Sequence, residues 1–425
     1  TTSPSEATLS AGARRVELVA IGVVLAAACT QWALGGYVDD TGEQQGLRLP
    51  LATLVQVLGL VVIVINRRRH LPATVPTWPH AAVLAAFCLG LLGLSRAELT
   101  SAAKELVQLG EILVIAWFLG ATVARTRLPA FAAVAGGIGG GLLVLGPGHG
   151  YEWLHLSNAR WAGICVLALP FLVYTLRHRP RALALALLPA GMLAGLAFEN
   201  GGLLLCWALV CLAAVGLLTA RRLWWTGIAA AGLALAATVV APAPSAWDTL
   251  DPAYDAHHRK RLFTEYRVAL RAPAHYPAGG GLGAYNEVIE PLAYDQEIAE
   301  DNNKVPTDSN SQYLVTLVEA GLPAAVLLPL LILGLIYMQC RRQDGDTAAD
   351  DHHTRRLATA LLLALLLAGL FTTTLGRGIG IWTGLVLGLA TPRLQRRWRP
   401  ALPPLLRRLA LPAVAAVACA AVMLL

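Results

Sequence analysis

The sequence predicts an all-α integral membrane protein with about 12–13 transmembrane helices and one large loop outside the membrane. Of its 425 residues 56% are hydrophobic and only 14% are charged, and the mean hydropathy is +0.59. A soluble domain carries nearer to about 25% charged residues, because its surface must hold water. Most of this surface is therefore expected to face lipid, which excludes a soluble enzyme and a nucleic-acid-binding module.

The spans are predicted from apolar runs, since a helix needs about 20 apolar residues to cross the hydrocarbon core. The runs lie at residues 16–36, 48–66, 80–95, 105–124, 129–146, 161–176, 182–198, 201–219, 225–243, 312–338, 357–373, 378–391 and 409–425. Those at 80–95 and 378–391 are short and are open to a tilted or re-entrant interpretation. No cleavable signal peptide is expected ahead of the first run.

The basic residues orient this array of helices. Alternate loops hold 22 of the 33 Lys and Arg residues, and cytoplasmic loops are the ones enriched in basic residues. The rule predicts a cytoplasmic amino terminus and places residues 244–311 on the exterior or periplasmic side. The chain then divides into a bundle of about nine spans at 1–243, this loop between the ninth and tenth spans, and a carboxyl-terminal set of helices at 312–425.

The loop 244–311 is longer than an ordinary connection, and loops of such length are usually functional or disordered. Its segment His257–Leu270 reads as a basic amphipathic helix, and a Pro/Gly turn follows at Pro277–Tyr285. The arginine guanidinium binds phosphate oxygens in pairs and stays charged at any pH. Two interpretations remain open, a site for an anionic lipid head group and an interfacial helix attracted to anionic lipids.

No metal or cofactor is expected. The seven cysteines are scattered, and the adjacent pairs His257–His258 and His352–His353 lack the spacing of a ligand set. The cytoplasmic loops contain no Gly-rich phosphate-binding motif, which argues against an ATP-driven pump.

Several elements occur in an order that resembles one family. Within and after the loop they are Arg259 or Arg261, Ala269–Leu270, Pro277 with Gly279, Gly281 and Gly283, and Tyr313–Leu314 with Glu319 and Gly321. An earlier element comprises Asn158, Arg160, Ala162, Leu169 and Pro170. This order resembles the bacterial O-antigen ligases and the related O-antigen or exopolysaccharide polymerases.

The resemblance implies a membrane glycosyltransferase in a bacterial inner membrane, with its active site facing the periplasm. Its donor would be a glycan on undecaprenyl pyrophosphate, and its acceptor a hydroxyl of lipid A core or of a second lipid-linked repeat unit. Arginines would stabilise the departing pyrophosphate without a metal. The candidates for that role are Arg261, Arg259, Arg160, Arg96, Arg267 and Arg377. The candidates for contact with the acceptor or the glycan are Asn158, His275, Tyr313 and Glu319.

Two departures from the family pattern affect the expected catalytic base. Asn310 stands where ligases carry a histidine, and Glu199–Asn200 stand in place of Ser-Arg. An asparagine orients a hydroxyl but accepts no proton at neutral pH. Asp308 is the simplest replacement base, with Glu199, Glu319 and His275 as the other candidates. The departures favour a polymerase or a divergent transferase over a standard ligase.

Two other classes of function remain open. A polysaccharide transporter or lipid flippase would place polar groups at mid-membrane on broken helices, and the glycine run at 136–141 is one candidate break. Close helix packing explains the same run. A non-catalytic scaffold in a polysaccharide assembly is the third class.

Overall fold

The computed structural model describes a mostly helical chain. The described residues are 11–30, 37–38, 44–45, 54–56, 58–59, 61–63, 105–106, 108–121, 127–145, 153–154, 156, 158–179, 182, 268–294, 311–341, 349–370, 372–376 and 378–391. The predicted spans at 80–95, 201–219, 225–243 and 409–425, and all of 182–198 but its first residue, lie outside them.

Nine helices and two short strands are numbered here in chain order. The helices are α1 (Ala11–Ala28), α2 (Trp117–Leu119), α3 (Leu128–Leu145), α4 (Asn158–Leu176), α5 (Ala272–His275), α6 (Tyr285–Tyr294), α7 (Gln312–Arg341), α8 (Ala349–Ala368) and α9 (Ile379–Ala390). A π-helical turn, Glu111–Ala116, precedes α2. The strands β1 (Tyr37–Val38) and β2 (Gln44–Gln45) pair antiparallel, with Tyr37 opposite Gln45.

Two of the described helices are long and apolar enough to cross a membrane, α3 and the part of α7 from Gln312 to Gln339. Two more, Arg160–Leu176 of α4 and the whole of α9, are apolar but shorter. All four overlap predicted spans. The full number of spans and their orientation remain predictions.

Helix α7 differs from the single span predicted at 312–338, because its backbone breaks at Gly321. That residue has φ 80° and ψ 179°, which no helix contains. The segment after the break, Leu322–Arg341, has a length of about 30 Å at 1.5 Å per residue, which matches the hydrocarbon core. One face of it, with Val326, Leu330 and Tyr337, is exposed.

Two other predicted boundaries differ from the observed ones. Helix α1 ends at Ala28 rather than at residue 36, and the amide and hydroxyl of Thr30 both bond to the carbonyl of Ala27. Helix α8 spans Ala349–Ala368 rather than 357–373. Its first two turns are polar and charged, so they lie ahead of the apolar run from which the span was predicted.

Helices α3 and α4 form an antiparallel pair at the centre of the described bundle. The rings of Phe131 and Phe171 meet edge to face with centroids 5.3 Å apart. Near the other end of the pair, the buried Trp161 indole donates a 2.8 Å hydrogen bond to the carbonyl of Leu142. The large core side chains of α4 thereby fix the register of the two helices.

Helix α9 is buried along its whole length. Three glycines recur on it every four residues, and each faces the π-helical turn or α2: Gly380, Gly384 and Gly388. A Cβ at Gly384 would meet the carbonyl of Ile112, and one at Gly388 would meet that of Trp117. The backbones therefore approach closely, as small residues permit between helices in lipid.

The contacts place the ends of these helices in two groups. One group, here called the glycine-turn end, contains the end of α1, the starts of α4, α7 and α9, and the end of α8. The other group, the basic end, contains the starts of α1, α3 and α8 and the ends of α4, α7 and α9. There Arg127 forms a 2.7 Å ion pair with the fully buried Glu17, and Gln339 donates to the carbonyl of Ala390.

Candidate functional site

The Pro/Gly turn predicted in the long loop packs directly on α7. The amide of Gly280 donates to the carbonyl of Val318 at 2.8 Å, and that of Gly281 donates to the carbonyl of Glu319 at 3.0 Å. In return the amide of Leu322 donates to the carbonyl of Pro277 at 3.2 Å. We call this set of contacts, between Pro277–Gly283 and Val318–Leu322, the glycine clasp.

Two glycines make the clasp possible. Gly279 has φ 93° and Gly321 has φ 80°, values that side chains with a Cβ rarely adopt. A Cβ on Gly279 would meet the carbonyl of Glu319, and one on Gly321 would meet the backbone of Ala278 and Gly279. The clasp therefore depends on glycine at both positions for space as well as for conformation.

The carboxylate of Glu319 joins the clasp from the α7 side. It accepts hydrogen bonds from the backbone amides of Gly283 and Tyr285. These amides lie at the start of α6, where the first amides of a helix have no partner within the helix. The carboxylates of Glu105 and Glu287 lie close enough to interact electrostatically with it. Glu319, predicted to contact the acceptor or to serve as base, thus holds the turn in place.

A second polar feature of this end is the segment between α8 and α9. The side-chain carbonyl of Gln312 accepts the amide of Leu375 at 2.7 Å, and the side-chain amide of Gln108 donates to the carbonyl of Leu375 at 2.6 Å. Both backbone groups of one residue are thereby satisfied by two glutamines from different elements. The segment 369–376 is thus held between α7 and the helical turn before Glu111.

Tyr313 contributes to the same junction. Its hydroxyl donates a 2.8 Å hydrogen bond to the carbonyl of Leu366, and its ring lies against Gly369. The hydroxyl of Ser311 and the amide of Gln312 both donate to the carbonyl of Gly369. The structure therefore gives Tyr313 a role in joining α7 to α8, while its predicted contact with a glycan stays a prediction.

Gln312→Leu is expected to loosen the segment 369–376, because the amide of Leu375 would lose its acceptor in a buried place. An unsatisfied buried donor costs about 1–3 kcal/mol. Hydrogen exchange measured by mass spectrometry should show faster exchange in peptides covering 369–376. The control is Gln339→Leu, which removes a buried hydrogen bond from a glutamine side chain to a backbone carbonyl at the basic end. Equal exchange of this segment in both variants would contradict the assignment.

The structure places three further predicted residues at the glycine-turn end. Asn158 and Arg160 lie in the first turn of α4, and Arg160 is partly buried and has an interaction partner. One turn further, a Cβ on Gly163 would contact Thr372 and Ile379, so α4 begins beside the α8–α9 segment. His275 is exposed at the end of α5, with its ring centroid 6.2 Å from that of Tyr276.

The other predicted site residues lie outside the described residues. They are Asp308, Glu199, Asn310, Arg261, Arg259, Arg96, Arg267 and Arg377. The basic helix predicted at His257–Leu270 is described only from Val268, where a helical turn ends before α5. The division of the chain at 243 and 311 is likewise untested.

Sequence reasoning missed Glu105, Gln108 and Gln312. A signal was present, because each is a polar residue in or beside a predominantly apolar run, where polar groups usually have a specific partner. Only the folded arrangement identifies those partners, since Gln108 and Leu375 are 267 positions apart in the chain.

No family model matches the sequence, and no curated protein is significantly similar to it.

Proposed function

We propose that this protein is a membrane glycosyltransferase that uses an undecaprenyl-pyrophosphate-linked glycan as donor. It would act in a bacterial inner membrane with the glycine-turn end facing the periplasm. It would polymerise or transfer O-antigen or exopolysaccharide units. The alternative acceptor is lipid A core, which would make the protein a ligase with a replaced base.

The observation that carries the proposal is the glycine clasp. Two of the motifs that carry the resemblance are a Pro/Gly turn in the loop and a Glu-x-Gly element in the following helix. These motifs are joined by three backbone hydrogen bonds and by the carboxylate of Glu319. Two segments separated by about 40 residues thus form one structure, as a catalytic scaffold requires. The start of α4, with Arg160, lies at the same end.

The proposed reaction balances without a metal. The acceptor hydroxyl oxygen attacks the anomeric carbon of the donor while the bond from that carbon to the pyrophosphate oxygen breaks. The bonding electrons leave with undecaprenyl pyrophosphate, and arginines such as Arg261, Arg259 and Arg160 stabilise the developing charge. The hydroxyl proton passes to a carboxylate, for which Asp308 and Glu199 are the candidates. Asn310 would orient the hydroxyl.

A transfer assay tests this function. The full chain, purified in detergent, is incubated with undecaprenyl-pyrophosphate oligosaccharide, alone or with lipid A core. Longer or transferred glycan is the expected product. Arg261→Gln and Arg160→Gln are each expected to lower the rate about 100-fold, since removal of one charge-stabilising donor typically costs that much.

The control for these variants is Arg15→Gln, which removes an exposed arginine at the basic end. It should transfer glycan at the wild-type rate. A folded wild-type chain that gives no product with any donor–acceptor pair would contradict the function. Full activity in both arginine variants would contradict the proposed roles of those residues.

A further inference from the structure

A group of basic side chains lies at the basic end, where α4 ends and α8 begins. Arg177 and His178 follow the last residue of α4, and His353 and Arg355 lie in the first turns of α8. The imidazole rings of His178 and His353 meet edge to face with centroids 6.4 Å apart. The two helix ends therefore bring their basic residues to one place.

The guanidinium of Arg177 is held in a fixed orientation. It stacks over the ring of Tyr174 with its central carbon 3.8 Å from the ring centroid. Its Nη1 donates a 2.7 Å hydrogen bond to the carbonyl of Tyr174. Because the ring fixes the plane and the carbonyl uses Nη1, the group is immobilised before any ligand arrives.

One buried donor of this guanidinium lacks an acceptor. The Nε atom of Arg177 is buried and has no hydrogen-bond partner within the described part of the chain. Buried donors in native proteins almost always have an acceptor, so such an atom indicates a missing partner. The side of the guanidinium that carries Nε is one that binds phosphate or carboxylate oxygens. The missing acceptor is therefore expected to be an anionic oxygen.

The surrounding charge fits an anion. The sequence adds Arg179 after Arg177 and His178, and Arg356 after Arg355. These four arginines outnumber the acidic residues Asp350 and Asp351 at the start of α8. The side chains of His178 and Arg179 are exposed, so the group of basic residues is open to solvent on one side.

We infer that Arg177, with His178 and the start of α8, forms a binding site for the phosphate of an anionic phospholipid head group. The lipid is favoured over a soluble anion because Arg177 directly follows an apolar helix, Arg160–Leu176, whose end in a bilayer lies at head-group depth. This lipid site rests on the proposed function only in that the protein spans a membrane, and it does not depend on glycan transfer.

Native mass spectrometry of the full chain in detergent, titrated with phosphatidylglycerol, tests the site. The wild type is expected to retain one phosphatidylglycerol more tightly than phosphatidylcholine. Arg177→Gln should weaken phosphatidylglycerol binding roughly tenfold, because a hydrogen bond to a charged group is lost. Arg177→Lys should not restore it, since an ammonium lacks the fixed fork.

The matched control is Arg15→Gln, which removes an exposed arginine at the same end and should leave the affinity unchanged. His178→Ala changes an exposed side chain and is expected to weaken binding severalfold, so it keeps the test decisive where the Arg177 variants fail to fold. Equal affinities in the wild type, Arg177→Gln and His178→Ala, or equal binding of both lipids, would overturn the site. A chain without glycan transfer but with this lipid specificity would contradict only the proposed function.

Discussion

Gly321→Ala is expected to destabilise the protein by about 3 kcal/mol or more and to open the glycine clasp. The backbone at φ 80° and ψ 179° is essentially restricted to glycine, and such conformations cost about 1–3 kcal/mol for other residues. The added methyl group would also meet the backbone of Ala278 and Gly279, which cannot move without breaking the bond between Leu322 and Pro277. The two costs add.

The measurement is thermal unfolding in detergent, together with hydrogen exchange of peptides covering residues 277–285. Gly334→Ala is the control, because Gly334 lies in the same helix and a Cβ there would meet nothing within 4 Å. That variant should be as stable as the wild type or slightly more so, since alanine favours a helix over glycine. Equal stability of the two variants would show that the clasp contributes nothing to the fold.

Arg127→Gln is expected to lower the free energy of unfolding by about 3–5 kcal/mol, because it leaves a buried carboxylate without its cation. The side chain of Glu17 is 0% exposed and forms a 2.7 Å ion pair with Arg127. This pair joins the starts of α1 and α3. Loss of the cation therefore also weakens the packing of α1 on the rest of the bundle.

A change at the other partner of the ion pair shows which charge is more costly to leave unpaired, the Glu17 carboxylate or the Arg127 guanidinium. Glu17→Gln should be milder than Arg127→Gln, because Arg127 is 15% exposed and its charge can reach water or lipid phosphate. The double variant should recover part of the loss, since no buried charge then remains. Arg15→Gln, at an exposed arginine of α1, should change stability by less than about 0.5 kcal/mol. Equal unfolding midpoints for all four variants would contradict a structural role for the pair.

The apolar helices were the most predictable part of the fold. Helices α3 and α4 lie within three residues of the predicted spans 129–146 and 161–176 at each end. Long uninterrupted apolar runs leave few alternatives to a helix. The polar extension of α8 was not predicted, because its first turns are helical without being hydrophobic.

The candidate site was predictable only in its local parts. The turn at Pro277–Tyr285 was identified from its glycines, and three of them have positive φ. The segment of α7 that this turn packs against was not identified, because the break at Gly321 depends on backbone atoms about 40 residues away. The role of Glu319 depends likewise on the amides of Gly283 and Tyr285, which no residue pattern reveals.

Helix α9 is shorter than the hydrocarbon core of a bilayer is thick. Twelve residues of helix measure about 18 Å, whereas the hydrocarbon core is about 30 Å thick. Irregular backbone is tolerated at membrane depth only where its polar groups are satisfied, and Gln108 and Gln312 satisfy those of Leu375. Because α9 is buried along its whole length, the irregular backbone at its start is enclosed by other helices and not by lipid. A polar group placed there is therefore sheltered from hydrocarbon by the protein itself.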